Sequence, residues 1–359
     1  MRVEALTFLR FIAAFVVVTG HYGSKTSFAE LVGPFAVAGP PMVTFFFVLS
    51  GFVLMMSQWA KPGASAKSFY LARFARIAPI YWVALLATCW FGSVRGPYPT
   101  TGIVLNAAFL QAWFPPWPLS VNGPAWSVSV EAFFYLLFPF IVSASRRAVW
   151  TPRRLIVAAL AFWAGTQVVL TTWLNSGSYG FPSAVHDAIF YMPTSHLCSF
   201  VLGVAGGHWV LERVGERRDA GRAGLALVVA LFIVVFVVVQ HRAGFGHWAG
   251  VRLPVGSSLL APLFLALILG VARADNWVTR LLSTKPLRTL GDISYAVYIL
   301  QRPIGKLYEA QLLDGHRVTT DGEFWGFVAL LVAVAYLSGR LIENPARRLI
   351  LGTRSKPPG

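Results

Sequence analysis

Apolar runs long enough to cross a lipid bilayer recur along the whole 359-residue chain. Crossing about 30 Å of hydrocarbon takes a helix of about 20 residues. Within lipid, a backbone can pair all its polar groups only as a helix or a closed barrel, and the alternation of barrel strands is absent. The sequence therefore predicts an all-α, polytopic transmembrane bundle with about ten spans, near residues 6–23, 42–59, 77–94, 125–144, 155–174, 188–211, 223–241, 253–272, 291–309 and 323–342.

The composition excludes the common classes of soluble protein. Hydrophobic residues make up 56% of the chain and charged residues 12%, whereas soluble domains have about 45–50% and about 25%. The two cysteines, Cys89 and Cys198, both lie in apolar runs, which excludes a small disulfide scaffold. The sequence contains no Walker loop and no His or Cys spacing typical of a metal site, so we expect no metal.

The net charge of +16 is distributed unevenly between the two sides of the predicted bundle. With ten spans, 21 of the 30 Lys and Arg residues lie on one side, five lie on the other, and four lie inside the spans. Cytoplasmic loops are the basic ones in membrane proteins. We therefore expect both termini in the cytoplasm, and we attribute the basicity to topology rather than to a nucleic-acid partner.

The apolar segment 102–114 is too short to cross the bilayer comfortably. Counting it as a span would place the later basic loops on the opposite side. We therefore expect it to lie at the interface or to re-enter the membrane, with eleven spans as the alternative. Residues 1–345 are predicted to form one membrane-embedded domain, and residues 346–359 a short basic cytoplasmic tail.

The first span contains two ionisable residues, Arg10 and His21. Such residues at bilayer depth cost at least about 2.5–3.5 kcal/mol and mark candidate functional sites. Their separation of 11 residues puts both on one helix face, about 16 Å apart. A neutral imidazole can take a proton from a hydroxyl, and a guanidinium can hold a phosphate or polarise a carbonyl. Alternatively, Arg10 snorkels to the headgroups and His21 lies at the interface.

The fourth span carries a polar stripe of Ser127, Glu131 and Tyr135, spaced four residues apart. Residues at this spacing share one helix face. Glu131 is the one carboxylate well inside a span, and such a charge needs a partner. It could orient His21 or pair with an arginine inside the membrane; a purely structural ion pair is the alternative.

Three further segments carry polar or charged residues inside a predicted span or at its cytoplasmic end. The ninth span puts Ser294, Tyr298 and Gln301 on one face and Tyr295 and Arg302 on the adjacent face. Pro303 follows directly and should kink the helix. Helix breaks at this depth are tolerated where they line a cavity. Ser50-Gly51 suits close helix packing or a narrow passage. Arg73 and Arg76, one turn apart, form either a clamp for a phosphorylated ligand or an ordinary positive-inside loop.

Taken in order, these motifs resemble the acyltransferase type 3 family of bacterial membrane O-acyltransferases. The resemblance covers essentially the whole chain and rests on Leu9-Arg10…His21, Phe45–Phe52, Arg73-x-x-Arg76-Ile-x-Pro79, Trp126-Ser-x-Ser-x-Glu131-x-x-Phe-Tyr135, Ser294-Tyr295-x-x-Tyr298 and Ile342-Glu343-x-Pro345.

The resemblance implies an enzyme that transfers an acyl group, usually acetyl from acetyl-CoA, to a hydroxyl of a carbohydrate or another envelope molecule. It implies that His21 is catalytic, that Arg10 is its essential partner, and that Arg73 and Arg76 contact the donor. Many members have a histidine where this chain has Gln301. A glutamine can donate and accept hydrogen bonds but cannot carry a proton at neutral pH, so a two-histidine mechanism is not expected here.

We therefore expect a multi-pass enzyme of the bacterial cytoplasmic membrane, with cytoplasmic acyl-CoA as donor and a carbohydrate as acceptor. His21 is expected to be the base, with Arg10 and Glu131 also in the catalytic set. The residues predicted to bind the donor are Arg10, Arg73, Arg76, Ser50, Tyr295 and Tyr298, and those predicted to bind the acceptor are Trp126, Ser127, Tyr135, Gln301 and Arg302. The alternative function is a transporter or a flippase for a lipid-linked glycan, in which buried charges and kinked helices are also found.

Overall fold

The computed structural model describes residues 4–33, 39–59, 65–92, 98–147, 149–213, 229–234, 236–238, 241, 247–248 and 250–352. Its helices are α1 (Glu4–Val18), α2 (Ser27–Val32), α3 (Gly39–Trp59), α4 (Ala66–Gly92), α5 (Thr100–Ala107), α6 (Trp126–Ser145), α7 (Pro152–Leu174), α8 (Ala184–Phe190), α9 (Pro193–Leu211), α10 (Ala261–Arg273), α11 (Trp277–Leu282), α12 (Lys285–Asp292), α13 (Ser294–Leu312), α14 (Asp321–Ser338) and α15 (Asn344–Leu351).

Shorter elements complete the described part of the chain. Two π-helical turns, Thr19–Gly23 and Gly339–Glu343, continue α1 and α14, and 3₁₀ turns occupy Gln111–Trp113 and Gly123–Ala125. The strands β1 (His247–Trp248) and β2 (Val251–Arg252) form one antiparallel pair, with His247 opposite Arg252.

Seven helical segments of the described residues are long and apolar enough to cross a membrane. They are Glu4–Gly23, Gly39–Trp59, Ala66–Gly92, Gly123–Ser145, Pro152–Leu174, Ala184–Leu211 and Asp321–Leu351. The predicted all-α, multi-pass membrane architecture is therefore confirmed. The count of ten spans and the side of the two termini stay predictions.

The other predicted spans differ from the helices for identifiable reasons. Only Ala261–Arg273 of the run 253–272 is helical, and those 13 residues are too few to cross alone. Helix α13 has 19 residues, but it carries the charges of Arg302, Lys306 and Glu309. In the run 223–241, residues 229–234 and 236–238 are helical, and the rest, apart from residue 241, lies outside the described residues. Helix α5, which overlaps the segment 102–114 predicted not to span, ends after eight residues.

The helices that surround the site are held by close backbone contacts. Helix α3 packs against α9, where a Cβ on Gly203 would lie 1.9 Å from the carbonyl oxygen of Val48, so only glycine fits there. Helix α1 packs against α3, α12 and α13, and α13 also packs against α4. Helix α6 contacts α3, α4 and α9. This arrangement leaves space between α1, α3, α4, α6 and α13.

Candidate functional site

Two cavities lie between these helices. The histidine cavity, of about 930 Å³, is lined by His21 and by residues of α3, α8 and α13. The arginine cavity, of about 320 Å³, is lined by Arg10, Arg73, Arg76 and Arg347. Val43 and Tyr298 line both cavities, so these two side chains lie at the boundary between them.

His21 projects into the histidine cavity from the π-helical turn Thr19–Gly23. Such turns are frequent at functional sites. The imidazole Nδ1 lies 2.8 Å from Oε1 of Gln301, and Nε2 of Gln301 donates to the carbonyl oxygen of Tyr298 at 2.7 Å. Because that carbonyl holds the amide N–H group, the glutamine oxygen faces His21 and must accept. Nδ1 therefore carries the imidazole proton, which leaves the Nε2 lone pair free to act as a base.

The arginine cavity concentrates positive charge. Arg10 comes from α1, Arg73 and Arg76 come from successive turns of α4, and Arg347 comes from α15. Glu131 is the carboxylate among the described residues that line this cavity. The guanidinium of Arg73 lies 6.0 Å from the ring centre of Tyr135, and its buried Nε has no hydrogen-bond partner. Four guanidinium groups facing one carboxylate suit a multiply charged anion.

Glu131 lies with the arginines rather than with the histidine. Its Oε1 accepts hydrogen bonds from Ser50 Oγ, at 3.1 Å, and from the hydroxyl of Tyr135. The sequence leaves two roles open for Glu131, and the contact to His21 is made by Gln301 instead. Ser50, Glu131 and Tyr135 thus form one hydrogen-bonded group in the wall of the arginine cavity.

The boundary between the cavities is held by hydrogen bonds between α6 and α13. The hydroxyl of Tyr298 donates to the carbonyl oxygen of Pro124 at 3.0 Å and accepts from Ser127 Oγ at 2.9 Å. The hydroxyl of Tyr295 donates to the carbonyl oxygen of Ile77 at 3.1 Å, which joins α13 to α4. The ring of Tyr298 therefore has a defined position between the two cavities.

The residues that the sequence predicts as acceptor contacts are divided between the two cavities. Trp126 and Arg302 line the histidine cavity, and Gln301 is fully buried behind His21. Ser127 and Tyr135 line the arginine cavity instead. Residues four apart on a helix share a face, whereas neighbours point about 100° apart. The stripe that begins at Ser127 therefore faces the arginine cavity, and Trp126 faces the histidine cavity.

Sequence reasoning assigns no role to several lining residues, namely Val43, Lys306, Arg317 and Arg347. Lys306 carries a detectable signal, because it lies inside an apolar segment four residues after Arg302. Arg347 carries no such signal, because in the sequence it looks like an ordinary basic residue of a cytoplasmic tail. Only the packing of α15 against α4 brings it to the arginine cavity.

A family model described as an acyltransferase domain matches residues 3–340. The chain belongs to this family. The protein is therefore an acyltransferase, as the order of its motifs predicts.

Individual relatives have more specific names. The chain is 28% identical over 377 residues to acyltransferase MdmB of Streptomyces mycarofaciens, with 98% of this chain and 93% of the relative covered. It is 22% identical over 376 residues to peptidoglycan O-acetyltransferase OatA of Listeria monocytogenes, with 96% and 56% covered. It is 28% identical over 283 residues to exopolysaccharide production protein ExoZ of Rhizobium meliloti, with 76% and 78% covered. The chain thus spans about half of the peptidoglycan relative. No solved structure matches.

Proposed function

We propose that the protein transfers an acetyl or other acyl group from cytoplasmic acyl-CoA to a hydroxyl of an envelope or extracellular carbohydrate, and that it does so in the bacterial cytoplasmic membrane. One observation carries the proposal. An imidazole with a free Nε2 lines a wide cavity, and that cavity meets an arginine-lined cavity at Val43 and Tyr298.

The arginine cavity is the proposed donor site. It contains Arg73 and Arg76, which belong to the basic side of the predicted topology, and that side faces the cytoplasm by the positive-inside rule. The guanidinium groups would hold the phosphates of the donor through paired hydrogen bonds. At about 320 Å³ the cavity is at the lower limit for a small-molecule site, which suits a narrow acyl-pantetheine arm. Ser127 and Tyr135 would contact this arm.

The histidine cavity is the proposed acceptor site. Peptidoglycan and exopolysaccharide appear in the names of two relatives. The aromatic rings that line this cavity can pack their faces against the apolar face of a sugar; they belong to Tyr22, Phe91, Trp126, Tyr179, Phe190 and Tyr191. Its volume of about 930 Å³ is near the upper limit for small-molecule sites, so it can take more than one sugar.

In the proposed reaction, His21 Nε2 removes the proton of the acceptor hydroxyl as its oxygen attacks the thioester carbonyl. A carbon–oxygen bond forms, the carbon–sulfur bond breaks, and the imidazolium returns the proton to the leaving thiolate. Throughout, Oε1 of Gln301 accepts from Nδ1, 2.8 Å away. That contact keeps the imidazole in one tautomer and stabilises its charged form. Arg10, on α1 and 11 residues before His21 in the sequence, would hold the donor in line.

Purified full-length protein in lipid nanodiscs tests the proposal directly. With acetyl-CoA and an envelope extract of the host, we expect release of the free CoA thiol together with an acetylated product that depends on His21. The transporter alternative makes the opposite prediction. If the protein were a transporter, it would move a glycan across the bilayer of proteoliposomes, and no thiol would be released.

A further inference from the structure

A row of cationic side chains lines the histidine cavity next to the catalytic imidazole. Arg302 and Lys306 are four residues apart on α13 and both face this cavity, and Arg317 joins them from the loop that follows the helix. Residues at that spacing lie one above the other on a helix face. The row begins directly beside Gln301, whose oxygen is 2.8 Å from His21.

The positive charge of this row is not balanced by the cavity wall. The described residues that line the histidine cavity include three cations, Arg302, Lys306 and Arg317, and one carboxylate, Glu309. Lys306 donates to the hydroxyl of Tyr98, a neutral partner that offsets no charge. Nε of Arg302 is buried and has no hydrogen-bond partner. A buried donor without a partner in the protein can be completed by a water, an ion or a ligand.

We infer that the acceptor carries an anionic group, a carboxylate or a phosphate, which binds to Arg302 and Lys306 while the reacting hydroxyl lies at His21 Nε2. This inference rests on the proposed function. A guanidinium can bind either anion through two parallel hydrogen bonds, and an ammonium adds a point charge. Arg302 and Lys306 line the same cavity as His21. The anionic group therefore belongs to the same acceptor molecule as the reacting hydroxyl.

The aromatic residues and the cations divide the cavity into two kinds of contact. Trp126 and Tyr191 form an apolar wall, with ring centres 5.2 Å apart, and this wall would accept any sugar face. Charge is the more selective requirement, because a neutral acceptor would leave the cations unpaired in a confined site. We therefore expect the row of cations, rather than the aromatic wall, to separate acceptors from non-acceptors.

The charge of the labelled product tests the inference. Membranes containing the full-length protein are incubated with radiolabelled acetyl-CoA and an envelope extract of the host, and the products are separated by anion exchange at neutral pH. We expect His21-dependent label in a retained fraction. Carboxyl reduction with carbodiimide and borohydride abolishes retention if the group is a carboxylate, and mild acid hydrolysis abolishes it if the group is a glycosyl phosphate. Label only in the neutral fraction overturns the inference, whereas no His21-dependent label overturns the proposed function itself.

Variants of the two α13 cations separate a binding role from a structural one. For Arg302→Gln and Lys306→Gln we expect the KM for the acceptor to rise about tenfold, with the KM for acetyl-CoA unchanged. Arg302→Lys should restore part of the loss, because it keeps the charge. The matched control is Lys25→Gln, since Lys25 is exposed and lines neither cavity. An equal change of both KM values, or an unchanged acceptor KM, contradicts the inference.

Discussion

The arginine cavity and the histidine cavity differ in size and in the chemical character of their walls. The arginine cavity is about 320 Å³ and presents four guanidinium groups. The histidine cavity is about 930 Å³ and combines the imidazoles of His21 and His186 and three cationic side chains with many aromatic rings. Under the proposed function, the narrow cavity would hold the donor and the wide cavity would hold the acceptor. That division would account for relatives named for peptidoglycan and for exopolysaccharide within one family.

The largest expected effect comes from removing the proposed base. His21→Gln keeps a polar side chain of similar size but cannot take a proton, and general-base catalysis contributes about 10²–10⁴-fold. We expect acyl transfer to fall by that factor, as measured by acetylated product, while binding of acetyl-CoA persists. Retained turnover in a correctly folded variant would show that His21 is not the base and that the histidine cavity is not where the proton is removed.

Acyl transfer should be sensitive to a large side chain at the boundary between the cavities. Val43→Trp places a large ring where the two cavities meet, and a small misplacement of reacting groups can cost about 10²-fold in rate. We expect that loss in transfer to exceed any change in the binding of acetyl-CoA, measured by calorimetry. Ile12→Trp is the control, because Ile12 is an exposed apolar residue of α1 that lines neither cavity. Equal losses in both variants would argue against passage at Val43.

The arginine cavity should need the shape of a guanidinium as well as its charge. Arg10→Lys keeps a positive charge but loses paired hydrogen bonds. Hydrogen bonds to charged groups contribute about 1.5–3 kcal/mol, or roughly tenfold to hundredfold. We expect the KM for acetyl-CoA to rise by that factor, in a thiol-release assay, while the KM for the acceptor stays constant. A rise confined to the acceptor KM would place Arg10 functionally with the histidine cavity.

Gln301 should act through the imidazole. Gln301→Leu removes the acceptor of the hydrogen bond from Nδ1, and one such bond contributes about 0.5–1.5 kcal/mol, up to about tenfold in rate. We expect kcat to fall by up to that factor with both KM values unchanged, and Gln301→His to recover most of it. If both variants lowered kcat equally, Gln301 would be a packing residue.

The smallest effect is expected at the exposed margin of the arginine cavity. Arg347 is exposed on α15, and exposed ion pairs contribute about 0.2–1 kcal/mol. For Arg347→Gln we therefore expect the KM for acetyl-CoA to rise about threefold. Its neighbour Arg348 is also exposed but lines neither cavity, so Arg348→Gln is the matched control. Identical behaviour of the two variants would exclude Arg347 from the donor site.

Residues close together in sequence are the part of the site that sequence reasoning predicts. Arg10 and His21 lie on one helix, and helical periodicity predicts that both face the site. The structure places each of them in a cavity wall. Arg73 and Arg76 likewise lie one turn apart on α4 and line the same cavity. The period of a helix is local, so it can be read without knowing what the helix packs against.

Contacts between distant segments are the part that sequence reasoning misses. Gln301 is 280 residues from His21, yet it decides which imidazole nitrogen is free. Ser127 and Trp126 are adjacent in sequence but line different cavities, because the packing of α6 against its neighbours sets the rotation of the helix. The sequence of α6 alone does not determine that rotation.

The amino-acid sequence by itself determined the membrane architecture, the family and the helix that carries Arg10 and His21. These follow from local properties, namely the length of apolar runs, the distribution of charge and the order of motifs. Only the tertiary structure decided that the site is two cavities which meet at Val43 and Tyr298, and that Arg347 and Lys306 line them. A cavity is the space left between packed helices, and its shape depends on contacts between segments far apart in the chain.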